Sequence, residues 1–217
     1  MFNLTNLFKK KFTYSKPTQS NYTGYKALMA QEIGLLRESL KQHISPPLPT
    51  IIDPQSVQGM LKHPFEQQVI WQIPFKDGSI HYMSSNGHYG DSYVIYVDTE
   101  LLYLILLIDG LKSDNDNAIE PFHKLRKDLP NDYKYHYAAE GFAKSTEVPI
   151  PLALIHAGKP NNKPSISFTD GITRTLWLIA NHALSFPIFT HGAESANLLN
   201  DLVGLTDQPF KISHFIK

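Results

Sequence analysis

Asp170-Gly171-Ile172-Thr173-Arg174 is the stretch of this chain whose residue types and spacing best suit chemistry. A glycine where a strand gives way to a helix lets the backbone turn sharply and lets a ligand approach it closely. The first turn of a helix carries unpaired N–H groups and the positive end of the helix dipole, a natural anion site. Thr173 and Arg174 project there. A cation at a helix start is disfavoured by about 0.3–1 kcal/mol, so Arg174 needs a reason. A bound phosphate supplies one, since a guanidinium grips phosphate through two nitrogens. Asp170 supplies another, because it can cap the helix and pair with Arg174 four residues later. Asp170 would also repel a phosphate unless it turns away or holds a metal. The residues alone leave two readings open. One is an anion- or nucleotide-binding site at Asp170, Gly171, Thr173 and Arg174; the other is a structural turn whose charges satisfy each other.

The elements around this turn are legible from periodicity. Residues 150–156 form an apolar strand, 158–164 a turn-forming loop, and 165–169 a second strand carrying Ile166 and Phe168. Ile172, Leu176, Trp177, Ile179, Ala180, Ala183 and Leu184 then mark one face of a helix. Phe186-Pro187-Ile188-Phe189 returns as a short strand, and Pro187 suggests a sheet edge or a strand start.

Further upstream, Leu28, Met29, Ile33, Leu36 and Leu40 predict a helix over 25–44, stopped by the stiff linker Ser45-Pro46-Pro47-Leu48-Pro49. Val69, Trp71 and Ile73 alternate in a strand over 67–75. Strands over 81–83 and 92–97 follow, with Asn86-Gly87 favouring a hairpin reversal between them. Residues 99–111 are apolar all round and long enough for a buried helix. A helix is expected over 118–129, with Pro121 in its first turn. Tyr133, Tyr135 and Tyr137 read as an aromatic edge of the core rather than a platform for stacked bases. The expected organisation is an N-terminal arm over 1–23 and a single α+β domain over 24–217, with a mixed β-sheet and flanking helices.

The segment Phe168-Thr169-Asp170-Gly171-Ile172-Thr173-Arg174-Thr175-Leu176-Trp177, followed by Phe186-Pro187-Ile188, resembles the Gly-x-x-Arg strand–helix–strand core of the ParB/sulfiredoxin fold. More narrowly, Ile150-Pro151-Leu152-Ala153-Leu154 together with Thr169-Asp170-Gly171-Ile172-Thr173-Arg174-Thr175 resembles plasmid fertility inhibition factors. The likeness covers about residues 148–204. It implies a ParB/sulfiredoxin-like C-terminal core, and a phosphate-binding role for Gly171 and Arg174. Ile172 stands where sulfiredoxins place a catalytic cysteine and ParB proteins a glutamate. Thr173 stands where related enzymes place a histidine. Those departures imply a binding or inhibitory descendant.

Composition narrows the function classes. Lys plus Arg number 20 and Asp plus Glu 20, so no net charge draws the chain to nucleic acid or to a membrane surface. The absence of cysteine excludes disulfides, thiolate zinc sites and cysteine nucleophiles. The N-terminus places its lysines after a short apolar stretch, the reverse of a secretory signal. No transmembrane segment and a cytoplasmic location are expected. No metal site is expected either: His81, His88 and Asp91 read as turn residues, and His182 and His191 lack metal spacing. Ser195 has no nucleophile-elbow context, and Glu194 and Asp201 read as solvated helix residues.

The function implied first is an inhibitor that suppresses conjugative transfer of a rival plasmid by contact with the transfer machinery. One alternative is a nucleotide-binding or phosphoryl-hydrolysing enzyme that uses Asp170, Thr173 and Arg174 with a nucleotide and magnesium. A second is an immunity protein that neutralises a secreted toxin. The first and the last of these require a protein partner.

Overall fold

A computed structural model describes residues 19–60, 68–85, 91–112 and 123–215. In chain order the elements are α1 (Gln19–Leu40), β1 (Thr50–Ile52), β2 (Ile70–Pro74), β3 (Ile80–Ser84), β4 (Ser92–Asp98) and α2 (Thr99–Lys112). Then come α3 (Tyr135–Ala143), β5 (Ile150–Pro151), β6 (Leu154–Gly158), β7 (Ser165–Asp170), α4 (Ile172–Ala180), β8 (Ser185–His191), α5 (Ala193–Val203) and β9 (Phe210–Lys211). The architecture is α+β. A four-stranded sheet runs β1-β2-β3-β5 and a five-stranded sheet runs β7-β6-β8-β4-β9, both mixed, with helices packed against them.

The chain passes between the two sheets directly at residues 152–153. Residues 150–156 were expected as one strand, but β5 belongs to the first sheet and β6 to the second. Leu152 and Ala153 make the passage and are buried. Leu152 donates its N–H to Ser84 O (3.1 Å), and Ala153 O accepts from Phe189 N (2.8 Å), so each sheet holds one end. An apolar run buried on both faces carries no signal of a change of sheet, which is why periodicity alone misses it.

The hairpin expected between 81–83 and 92–97 is also corrected. β3 pairs with β2 and β5, whereas β4 pairs with β8 and β9. Every residue of β4 is buried, so it needs a neighbour on both sides. Asn86 and Gly87 themselves lie outside the described residues.

β8 runs down the middle of its sheet, not along an edge, and Pro187 is tolerated there for a local reason. Phe189 sends its N–H to Ala153 O, toward the β6 side. Pro187, two residues earlier, faces the same way. The β6 ladder meets β8 at Leu154↔Phe189, so the missing donor falls short of it.

α1 begins at Gln19 and stops at Leu40, burying Met29 and Ile33 and leaving Leu28 and Leu35 exposed. The proline linker is pinned by Ser185 Oγ, which donates to Pro47 O (2.5 Å). Beside it His43 Nε2 lies 2.6 Å from Asp98 Oδ2, and Asp98 Oδ1 caps α2 by accepting from the amides of Glu100 and Leu101.

The helix expected over 118–129 is replaced, where described, by a 3-10 turn over Arg126–Asn131; residues 118–122 lie outside the described residues. The true helix is α3, in the stretch read as a tyrosine stripe. Helical spacing turns Tyr135, Ala138, Ala139 and Phe142 inward and leaves Tyr137 exposed at 65%, while Tyr133, in the turn before the helix, is 75% exposed. They are not an edge of the core. Among the described residues no helix is long and apolar enough to cross a membrane.

Candidate functional site

β7 delivers the chain to Gly171, which adopts φ 88° and ψ 15° and starts α4. Two constraints require glycine. The left-handed backbone is strained for other residues, and a Cβ would lie 2.6 Å from Ala153 Cα. The turn therefore presses directly on the crossing between the two sheets. Thr175 N donates to Gly171 O (3.0 Å), closing the first helical turn. No side chain caps α4, so the expected Asp170 cap is not formed.

Arg174 explains itself through contacts within the protein. Its Nη1 donates to Pro151 O (2.7 Å) and lies 3.5 Å from Leu152 O, while Nη2 meets Asp170 Oδ2 at 2.5 Å. The Arg174 side chain is 18% exposed and Asp170 is 69% exposed. The guanidinium thus ties the start of α4 to the carbonyls of the sheet crossing, with Asp170 balancing its charge from the solvent side. Both terminal nitrogens already bond within the protein.

The turn still borders open space. A cavity of about 330 Å³ lies against it, lined by Thr169, Asp170, Gly171, Ile172, Thr173 and Arg174 on one side. Asp132, Tyr133 and Lys134 form the other side. The structure thus gathers all four expected residues, Asp170, Gly171, Thr173 and Arg174, around one opening. The segment Asp132–Lys134 went unrecognised as part of it. It sits in an aperiodic turn far away in sequence, and only the local Asp-x-Lys turn hints at order, with Lys134 N donating to Asp132 Oδ1 (3.0 Å). Lys134 Nζ rests 5.3 Å from the centre of the exposed Tyr133 ring.

The far side of α4 anchors α3. Trp177 stacks on Phe142 at 4.0 Å with the rings 10° apart, and His81 and Phe75 close the aromatic box edge-on. His81 Nδ1 bonds to Phe142 O (3.0 Å), so this ring is structural. Asn181 donates to Tyr135 OH (2.9 Å), adding a polar tie.

The remaining candidates are structural as well. His182 takes a left-handed backbone at φ 57° and its Nδ1 lies 2.6 Å from Arg126 Nη1. Burial, then the Arg126 charge, pushes its pKa down. Arg126 Nη2 pairs with Glu100 (2.6 Å), and the guanidinium covers Tyr103, whose hydroxyl donates to Glu32. This network binds α1, α2 and the 3-10 turn together. His191 Nδ1 lies 3.1 Å from Ser92 Oγ. Ser195 is buried, accepts from Ala157 N (2.9 Å) and bonds to Thr190.

The profile of the Plasmid Fertility inhibition factor family matches residues 94–204, more than half of the chain. This chain belongs to that family. Protein osa of Shigella flexneri is 29% identical over 146 residues, spanning 67% of this chain and 74% of that protein. The crystal structure of Oncogenic Suppression Activity Protein, a plasmid fertility inhibition factor solved as a gold(I) cyanide derivative, superposes with a TM-score of 0.74. It is 25% identical and covers 89% of this chain and 95% of its own.

Proposed function

We propose that this protein suppresses conjugative transfer of a rival plasmid by binding a component of the transfer machinery. The observation that carries the reading is the family match over 94–204, which spans both sides of the cavity. The contact face we assign is the Asp170–Arg174 turn together with Tyr133, Lys134 and Tyr137. Tyr133 lines the cavity and Tyr137 is exposed on the adjoining helix; tyrosine is among the residue types enriched at the energetic centres of protein interfaces. The ring of His136 lies 3.9 Å from that of Tyr137 and supports it.

The Asp170 carboxylate beside Arg174 already balances its charge and would repel a phosphate, which favours protein contact over the nucleotide-and-magnesium alternative. Nothing in the family match favours an immunity role. Expressing the chain in donor cells that carry a conjugative plasmid, and counting transconjugants, tests the proposal. Transfer is expected to fall for at least one plasmid type. Unchanged transfer across several types, with the protein present and folded, removes it.

A further inference from the structure

The 3-10 turn over Arg126–Asn131 packs against α4. At one end of that helix Arg126 meets His182, two residues past Ala180. At the other end the chain leaves the turn as Asp132, Tyr133 and Lys134, the wall that faces Gly171 and Arg174 across the cavity. The turn thus carries the wall, and whatever pins the turn seats the wall. Leu125 and Leu129 hold it by burial; Arg126 holds it by charge.

Arg126 Nη1 lies 2.6 Å from His182 Nδ1. A guanidinium has donors only and keeps its charge, so Nδ1 must be the acceptor. His182 is therefore neutral, with its proton on Nε2. Protonation would place an N–H on Nδ1, and two donors cannot share this contact. The backbone leaves His182 little room to follow. Its N–H donates to Ile179 O (3.2 Å), its carbonyl accepts from Lys76 N (3.1 Å) and its φ is 57°. The charges around the ring are Arg126 from the 3-10 turn, Glu100 from α2 and Lys76 from the turn after β2. Glu100 is already engaged by Arg126 Nη2, so it gives an imidazolium little relief, and the two cations oppose one. His182 is exposed, so a proton reaches it from solvent.

We propose that His182 is an acid-sensitive latch on this wall. Neutral, the imidazole accepts from Arg126 and fixes the turn against α4; protonated, it expels the guanidinium and lets the segment 126–134 shift. Arg126 keeps Glu100 and the Tyr103 ring, and Leu129 keeps its burial, so the segment loosens without unfolding. Burial, then the Arg126 charge, holds the folded pKa below the ordinary 6.5. The latch is closed above about pH 6.5 and opens as pH falls through that lower value. Its consequence for a partner rests on the reading above, whereas its test reads the wall itself, so the two can fail separately.

Amide hydrogen exchange of the full chain, corrected for the intrinsic effect of pH, tests the latch between about pH 7.5 and about pH 5. His123 stays neutral over that range, since burial sets its pKa at about 4. The hydrogen-bonded amides of Asp128, Asp132 and Lys134 report on the segment. Their protection should fall by about three- to tenfold at the acid end, the lower figure allowing for solvent screening, while amides of β4 and β8 hold theirs. His182→Asn puts a carbonyl oxygen that does not titrate where Nδ1 stood, and asparagine tolerates the left-handed backbone. In that variant the protection should not change with pH. Arg126→Met should exchange at the faster rate of the open latch throughout. Three results overturn the proposal: flat protection in the parent, an equal acid loss in His182→Asn, or an Arg126→Met segment as protected as the parent at neutral pH.

Discussion

Arg174 bonds to backbone carbonyls of the sheet crossing on one side and to an exposed carboxylate on the other. These two kinds of partner differ in worth. Hydrogen bonds from a charged, mostly buried donor contribute about 1.5–3 kcal/mol, whereas an exposed ion pair contributes about 0–1 kcal/mol. Arg174→Ala should therefore lower stability by about 2–3 kcal/mol and Asp170→Ala by less than about 1 kcal/mol, as read by urea unfolding. Equal losses would mean that the ion pair, not the clamp on Pro151, holds the turn. Gly171→Ala should be at least as damaging as Arg174→Ala, because strained backbone and the approach to Ala153 add together.

His123 gives a pH prediction. Its folded pKa is pushed down to about 4 by burial, from an ordinary value of 6.5. Between those values the unfolded chain takes up a proton that the folded chain refuses. The stability tied to His123 is thus complete above about pH 6.5 and is lost as pH falls toward 4, a loss of about 3 kcal/mol. Unfolding free energies measured across that window should decline in the parent and decline less in His123→Asn. Parallel curves would contradict the account.

At the scale of elements, α3 depends on the aromatic box. Trp177→Ala removes the face that stacks on Phe142 and should cost about 3–5 kcal/mol. The loss should be local first: hydrogen exchange in residues 135–143 should accelerate more than in the central strands β4 and β8. Uniform acceleration would show that α3 does not dock through Trp177.

The same elements show what can be read from a sequence. α2 is legible as a long apolar run and α4 by one-sided periodicity, although Ala183 and Leu184, expected on the face of α4, lie beyond its end at Ala180 and bond instead to Phe75 and Pro74. The four residues of the turn were legible because Gly171 and Arg174 are unusual at a strand-to-helix junction. α3 is not expected because Tyr133, Tyr135 and Tyr137 read together as an aromatic edge of the core, although Tyr135, Ala138, Ala139 and Phe142 carry a helical signal. The division of 150–156 between two sheets was not legible. It depends on Ser84 and Phe189, remote residues that claim the backbone on either side of Leu152 and Ala153. The second wall of the cavity at Asp132–Lys134 is likewise a product of tertiary packing alone.

At the scale of the whole molecule, the family profile begins inside β4 and ends just after α5, leaving β1, β2 and β3 outside it. The structural likeness covers 89% of the chain, so the shared architecture extends beyond the profile. The Gly171–Arg174 turn sits where the two sheets meet. Its clamp sets the position of α4, and α4 in turn seats α3, which carries Tyr137. Fold and proposed contact face are thus linked by one chain of packing from the sheet crossing outward.

The most direct measurement compares mating efficiency for donors expressing the parent chain and donors expressing Tyr133→Ala/Tyr137→Ala. Both tyrosines are exposed, so the double substitution should shift stability by no more than about 0.5 kcal/mol per site. Transconjugant counts should drop with the parent chain and return toward the empty-vector level with the folded double variant. Undiminished inhibition by that variant would contradict the assigned face, and full transfer in the presence of the folded parent would contradict the function itself.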